Sequence, residues 1–68
     1  MNNLEQQRYE KAHERVCQLI GNKRGAHGWL NEPSAAMGNV IPRSLLKTEQ
    51  GLDRVLYELG QMEYGHPV

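Results

Sequence analysis

The 68-residue chain lacks most of the features that stabilise very small proteins. It has a single cysteine, Cys17, so an internal disulfide framework is excluded. It has no phenylalanine and only one tryptophan, which leaves few large side chains for a core. A chain of this length buries only about 60% of its unfolded surface, and such chains usually draw on a metal or a partner chain for support. We therefore expect one small domain that works as a homo-oligomer or in a complex.

Neither the charge nor the hydropathy of the chain favours nucleic acid or a membrane as its partner. Eight Lys and Arg balance eight Asp and Glu, and the pI is about 6.8, whereas nucleic-acid-binding domains are usually basic. No apolar run approaches the ~20 residues that span a bilayer. The first residues lack the basic and apolar segments of a secretory signal. Together with the single cysteine, this pattern predicts a cytoplasmic protein.

Hydrophobic spacing predicts three α-helices, over residues 4–20, 23–31 and 49–63. The first carries a stripe formed by Tyr9, Ala12, Val16, Leu19 and Ile20. The last is capped by Thr48, and its stripe is formed by Leu52, Val55, Leu56, Leu59 and Met62. No strand pattern interrupts these segments. The predicted fold class is all-α, a small bundle of three to five helices.

The connector between the last two helices is predicted to contain two short helical turns. Residues 34–37 form the first, and Pro42 suits the opening position of the second, over residues 42–46. Gly38 and Asn39 both tolerate positive φ, so they predict a tight turn between the two. Leu45 and Leu46 are expected to point into the core.

Trp29 is the largest apolar side chain available, and we expect it at the centre of the core. Its indole N–H should donate to a backbone carbonyl there. Replacing it with alanine is then expected to cost ~3–5 kcal/mol. Four glycines lie inside predicted helices, where each costs roughly 1 kcal/mol against alanine. We expect close packing at these positions, which are Gly25, Gly28, Gly51 and Gly60.

The histidine and cysteine residues do not form a catalytic or metal-binding pattern. His13 and Cys17 would share a helix face, but a structural zinc needs four ligands, and only His27 and His66 remain. A catalytic Cys17 would need an adjacent base and a substrate pocket, and this residue lies inside a predicted helix. No phosphate-binding glycine loop follows a strand. We expect no enzymatic activity, no metal and no cofactor.

One ordered set of residues is more specific than any of these features. It runs from residue 29 to residue 65 and consists of Trp29-Leu30, Pro33, Met37-Gly38, Pro42, Leu45-Leu46, Thr48, Gly51, Val55, Leu59, Met62 and Tyr64-Gly65. In order and spacing it resembles the toxin-binding domain of the Xre/MbcA/ParS family of antitoxins. Met37 and Asn39 stand where that pattern has Leu and a second Gly. Methionine keeps the volume of leucine, and asparagine tolerates a left-handed turn.

The resemblance implies an antitoxin of a type II toxin–antitoxin system. Its partner would be a RES-type toxin that consumes NAD or transfers ADP-ribose. In the family, the C-terminal end of the antitoxin enters the toxin's active site and blocks NAD entry. Carried over to this chain, the terminal carboxylate would pair with a basic residue of the toxin. The blocking segment consists of Tyr64, Gly65, His66, Pro67 and Val68.

The resemblance also suggests how the chain is divided. Residues 23–68 would form the toxin-binding domain, and residues 1–22 an N-terminal helix available for dimerisation. Family members commonly carry an N-terminal helix-turn-helix region that binds DNA. Only 28 residues precede Trp29 here, which argues against DNA binding by this chain.

Two other functions stay open from the sequence. The first is a small DNA-associated regulator that dimerises through its first helix and uses a basic patch around Lys23 and Arg24. Three glutamates, Glu5, Glu10 and Glu14, interleave with the basic residues and would repel phosphate. The second is a helical scaffold for an unrelated protein, which fits the composition but leaves the ordered motif unexplained.

Overall fold

The computed structural model describes residues 3–63, which form three α-helices. Helix α1 spans Asn3–Ile20, α2 spans Lys23–Asn31 and α3 spans Glu49–Glu63. Two 3₁₀ turns, Ala35–Met37 and Pro42–Leu45, lie in the connector between α2 and α3. Within residues 3–63 no strand is present, and the only bridge joins Ser34 and Val40. The all-α fold class is confirmed.

Helices α1 and α2 are joined by a two-residue turn. Gly21 has a φ of 94°, and its N–H donates to the Cys17 carbonyl at 2.8 Å, which closes the end of α1. Asn22 then caps α2, because its side-chain oxygen accepts from the Gly25 N–H at 2.6 Å. The predicted end of the first helix at residue 20 and the predicted start of the second at residue 23 are confirmed. The turn folds α2 back against α1.

The buried core draws on all three helices and on the connector. Its members are Ala12, Val16, Ala26, Leu30, Met37, Leu46, Leu52, Val55 and Leu59. Leu30, Leu46 and Leu59 are the largest of the fully buried side chains, and burying a leucine contributes ~1.5–3 kcal/mol. Helix α1 belongs to this core, because Ala12 and Val16 pack in the same cluster as the residues of α2 and α3.

Trp29 does not lie at the centre of this core, so that prediction is wrong. The side chain is half-buried and packs against the edge of the cluster. Its indole N–H makes no hydrogen bond to any residue between 3 and 63. The position of Trp29 around the helix axis explains this. Ala26 and Leu30 define the inward face of α2, and Trp29 lies about 100° away from Leu30 around the helix. The core is therefore aliphatic.

The last residue of the predicted apolar stripe is more exposed than expected in both α1 and α3. Ile20, the last residue of α1, is 38% exposed, and Met62 near the end of α3 is 46% exposed. Both positions lie at the end of their helix, where fewer neighbouring residues cover the apolar face. Most of the remaining stripe residues are buried as predicted, namely Ala12, Val16, Leu52, Val55 and Leu59. Tyr9, Leu19 and Leu56 are partly buried and pack against them.

A revised prediction follows for Trp29. Its replacement by alanine should lower the free energy of unfolding by ~1–2 kcal/mol, because a half-buried side chain loses only part of the full transfer energy. Chemical denaturation followed by circular dichroism measures this difference, since the variant has no tryptophan signal. Leu30→Ala is the matched control and should cost ~2–5 kcal/mol. A larger loss for Trp29→Ala than for Leu30→Ala would contradict the observed core.

Three of the four helical glycines have a neighbour close to the missing side chain. A Cβ at Gly51 would overlap the backbone carbonyl of Leu45. A Cβ at Gly25 would approach Ile20 Cγ2 to 2.6 Å, and at Gly28 it would meet the Glu32 carboxylate at 3.1 Å. At Gly60 no atom of residues 3–63 lies within 4 Å of that point. The expectation of close packing within the chain is therefore wrong at Gly60.

Arg8 ties α1 to the connector through charge-assisted hydrogen bonds. Its Nη1 donates to the backbone carbonyls of Leu46 at 3.2 Å and Lys47 at 3.0 Å. Its Nε donates to the Glu49 carboxylate at 2.6 Å. The Arg8 side chain is only 12% exposed, whereas that of Glu49 is 66% exposed, so the bond to the Leu46 carbonyl is the part-buried one of the three. They fix the point at which α3 begins.

Candidate functional site

The ordered motif builds the framework of the domain. Leu30, Pro42 and Leu46 are fully buried, and Trp29 packs on the edge of the core. Pro33 is exposed at the point where the chain leaves α2. These residues hold the connector against the helices. The exposed surface of the domain is formed mainly by other side chains.

The turn at Gly38 and Asn39 reverses the chain. Both residues have left-handed backbone conformations, with φ of 70° and 66°, as the sequence predicted. The Ser34 N–H donates to the Val40 carbonyl at 3.0 Å, and the Asn39 N–H donates to the Ser34 carbonyl at 2.8 Å. This small loop leaves Val40 and Ile41 about two-fifths exposed, at 38% and 40%.

Thr48 and Gly51 determine how α3 starts. The Thr48 Oγ1 accepts a hydrogen bond from the Gly51 N–H at 3.0 Å, which confirms the predicted N-cap. Gly51 lies directly against the Leu45 carbonyl, where no side chain fits. The start of α3 is thus pressed onto the second 3₁₀ turn. Its direction, and the position of its far end, follow from that contact.

The far end of α3 is held against α1 by an ion pair. Arg15 Nη2 donates to both carboxylate oxygens of Glu63, and the two side chains are 32% and 29% exposed. The predicted blocking segment, Tyr64–Val68, lies outside the described residues. Glu63 is the last residue that the structure describes, and the ion pair holds its side chain against α1.

A groove lies beside this ion pair on the surface of the described residues. We call this region the C-terminal surface; it consists of Leu56 of α3 and Lys11, Glu14, Arg15 and Gln18 of α1, which line the groove, together with Tyr57 and Gly60, which helix spacing places beside Leu56 on α3. This shallow groove of about 330 Å³ runs between the two helices. Tyr57 is 62% exposed, the largest exposed fraction of any bulky apolar side chain in residues 3–63. With the bare backbone of Gly60 next to it, this surface allows close approach of another chain.

A polar cluster that the sequence analysis missed joins three elements. Asn31 Nδ2 donates to the Tyr9 hydroxyl at 3.1 Å, and Arg43 Nη1 donates to Asn31 Oδ1 at 3.0 Å. The Arg43 guanidinium also lies over the Tyr9 ring, 5.2 Å from its centroid. No local pattern signals this cluster, because its members come from α1, α2 and the second 3₁₀ turn. It fastens the connector to the helices.

The described residues offer no assembled metal site. His13 Nδ1 and Cys17 Sγ are 3.7 Å apart, but nowhere in residues 3–63 do three histidine, cysteine or acidic side chains come together as ligands would. The Cys17 thiol also contacts the Asn22 carbonyl at 3.9 Å, at the junction of α1 and α2. None of the helices described is long and apolar enough to cross a membrane.

Comparison with protein-family models gives a match over most of the chain. Residues 16–65 match the model of the antitoxin Xre/MbcA/ParS C-terminal toxin-binding domain, a segment that starts inside α1 and covers most of the chain. Comparisons with curated proteins and with solved structures return no match. The resemblance inferred from the ordered motif is thereby confirmed. The chain belongs to the Xre/MbcA/ParS antitoxin family, of which it carries the C-terminal toxin-binding domain.

Proposed function

We propose that this chain is a non-enzymatic antitoxin that neutralises a RES-type toxin in the cytoplasm. In the proposed complex, residues 64–68 enter the toxin's active site and block access of NAD. The C-terminal surface forms the docking contact that holds them there. The membership of a toxin-binding family supports the class of partner. The type of toxin and the mode of inhibition are the parts that experiment has to establish.

The ion pair between Arg15 and Glu63 supports docking of the toxin on the C-terminal surface. A segment that blocks an active site must leave the domain from a fixed place, because each residue that has to be ordered on binding lowers the affinity. Arg15 holds Glu63 against α1, directly beside the groove that Leu56 lines. In the proposed complex, the blocking segment therefore lies next to the docking surface.

The chemistry of the C-terminal surface also fits a protein partner. Aromatic side chains are enriched at the centres of protein interfaces, and Tyr57 is exposed there without a role in the core. The groove beside it combines the apolar Leu56 with charged residues of both signs, Lys11 and Glu14. Such a mixed surface suits a protein and offers little to a uniformly negative nucleic acid.

The DNA-associated alternative receives no support from the geometry. Two of the basic residues of α1, Arg8 and Arg15, are engaged in ion pairs with Glu49 and Glu63. Engaged guanidinium groups contribute less to a phosphate-binding patch. The centre of the apolar face of α1, at Ala12 and Val16, is covered by α2 and α3.

Co-expression with a RES-type toxin tests the proposal. The chain should form a stable complex with the toxin, and cellular NAD should remain at the level of cells without toxin. A toxin inactivated at its active site serves as the control for complex formation without toxicity. Absence of a complex, together with continued NAD loss, would show that the domain binds a different partner.

Gly60 provides a separate test of the C-terminal surface. Gly60→Gln should raise the stability of the isolated domain by roughly 0.5–1 kcal/mol, because glutamine is a better helix former and no described residue is close to the added Cβ. The same change should weaken toxin binding by roughly tenfold, since a long side chain would stand between the two proteins. Calorimetric titration of the toxin measures the affinity.

Met62→Gln is the matched control for this substitution. Residue 62 lies two positions further along α3, which places it on the opposite side of the helix, and its side chain is already 46% exposed. Toxin affinity should stay within about twofold of the unmodified chain. If Gly60→Gln bound the toxin as tightly as Met62→Gln does, the toxin would dock elsewhere.

A further inference from the structure

The last turn of α3, residues 60–63, lies beyond the buried core. Within the described range no residue after Leu59 is buried, and Met62 is 46% exposed. The turn also begins with Gly60, and glycine weakens a helix because its backbone loses more conformational freedom on folding. Packing and helix propensity therefore support this turn less than they support the rest of α3.

The charge at the end of α3 also disfavours its last turn. Glu63 places a carboxylate at the negative end of the helix dipole, and the last turn contains no basic residue. A negative charge at this end destabilises a helix unless a cation lies close to it. The compensating cation therefore has to come from another element.

Arg15 of α1 supplies that cation. Its Nη2 donates to both carboxylate oxygens of Glu63, at 2.8 Å for Oε2, and its Nη1 donates to Gln18 Oε1 at 3.0 Å. The bond to Gln18 holds the guanidinium in place on α1. The two side chains of the ion pair are 32% and 29% exposed, so the pair contributes little to the stability of the whole domain. A contribution of that size is enough to decide whether a single, weakly supported turn is formed.

We propose that Arg15 is a positioning residue: it holds the last turn of α3 against α1 and thereby sets the direction in which residues 64–68 extend toward the toxin. This inference rests on the proposed function, in which those residues block the toxin's active site. Residue 64 follows Glu63 directly in the sequence, so a helical last turn restricts the start of the blocking segment to one direction. The apparent affinity for the toxin then scales with the fraction of molecules in which this turn is formed.

Amide hydrogen exchange of the free chain, followed by NMR, tests whether Arg15 holds the turn. Arg15→Gln should raise the exchange rates of residues 60–63 by roughly threefold to fivefold, while the rates of residues 52–59 stay within about twofold. Arg54→Gln is the control, because it removes a different ion pair, Arg54–Glu58, which lies within α3. It should change the rates of residues 60–63 by less than about twofold. Unchanged rates in Arg15→Gln would overturn the proposal.

A double-mutant cycle tests whether Arg15 acts through the blocking segment. In the full-length chain, Arg15→Gln should weaken binding of the RES-type toxin used for co-expression by roughly fivefold, as measured by calorimetric titration. In a chain that lacks residues 64–68, the same substitution should change the affinity by less than about twofold, since no segment remains to be positioned. If the loss persisted in the truncated chain, Arg15 would be a direct contact of the toxin and the proposal would be wrong.

Exchanging the two charges completes the test. Arg15→Glu should weaken toxin binding by roughly tenfold, because two carboxylates then face each other. The double variant R15E/E63R restores an ion pair and places an arginine at the negative end of α3, so its affinity should return to within about twofold of the unmodified chain. A double variant that binds as weakly as R15E would overturn the positioning role alone. An unmodified chain that does not bind the toxin would instead overturn the proposed function, and this inference with it.

Discussion

Replacing Gly51 with alanine is expected to unfold most of the molecules at physiological temperature. The added Cβ would overlap the Leu45 carbonyl oxygen, and a backbone atom cannot move aside as the end of a side chain does. Either the second 3₁₀ turn or the start of α3 would have to shift. Both are anchored, because Leu46 is fully buried and Thr48 caps the helix. We expect a cost of ~3 kcal/mol or more.

Such a loss is large for a domain of this size. Stabilities of ~0.05–0.15 kcal/mol per residue place the whole free energy of unfolding at roughly 3–10 kcal/mol. Thermal denaturation followed by circular dichroism should therefore show a broad transition at low temperature, or none. Gly60→Ala, in the same helix with open space around it, is the matched control and should gain roughly 1 kcal/mol. Equal stability of the two alanine variants would mean that Gly51 is not packed against Leu45.

Deleting residues 66–68 is expected to abolish neutralisation while leaving the fold intact. The buried core of the described residues extends only from Ala12 to Leu59, and the ion pair that anchors the end of α3 involves Glu63. The unfolding transition should therefore change little. Toxin binding should weaken by roughly thirtyfold or more, the loss that a hot-spot contact of about 2 kcal/mol brings. Cell survival with the toxin, and the affinity of the purified complex, measure the two effects.

A variant of the same length shows whether the side chains of residues 66–68 matter or only the length of the chain. Replacing residues 66–68 by Gly-Ser-Gly keeps the chain length and removes the imidazole, the proline ring and the valine. If the blocking segment acts through these side chains, the variant should behave like the deletion. A deletion variant that protects cells as well as the unmodified chain would show that the C-terminal surface alone inhibits the toxin, or that inhibition uses another part of the domain.

The two predictions separate folding from function. Gly51→Ala should remove toxin binding only because the docking surface is no longer assembled, so its loss of affinity should follow its loss of helical signal. The deletion should reduce affinity with the helical signal unchanged. Measuring both quantities for both variants therefore shows whether the antitoxin acts through a prefolded surface and a separate blocking segment.

The local structure of this protein was determined by the sequence on its own. The bounds of α2 and α3 agree with those predicted, because helix formers, apolar spacing and stop residues all act within a few neighbouring positions. The turn at Gly38 and Asn39 and the cap at Thr48 were predictable for the same reason, since each depends on the conformational or hydrogen-bonding preference of one or two residues. The ordered motif also identified the family, which the comparison then confirmed.

Only the tertiary structure decided which side chain occupies which place. Trp29 lies at the edge of the core, because the aliphatic Leu30, Leu46 and Leu59 fill its centre. Gly51 meets a carbonyl and Gly60 meets open space, although both are glycines in one helix. Arg8 bonds to atoms 38 to 41 residues away. Periodicity specifies which face of a helix is apolar, whereas the crossing of helices far apart in sequence determines which residue on that face is covered.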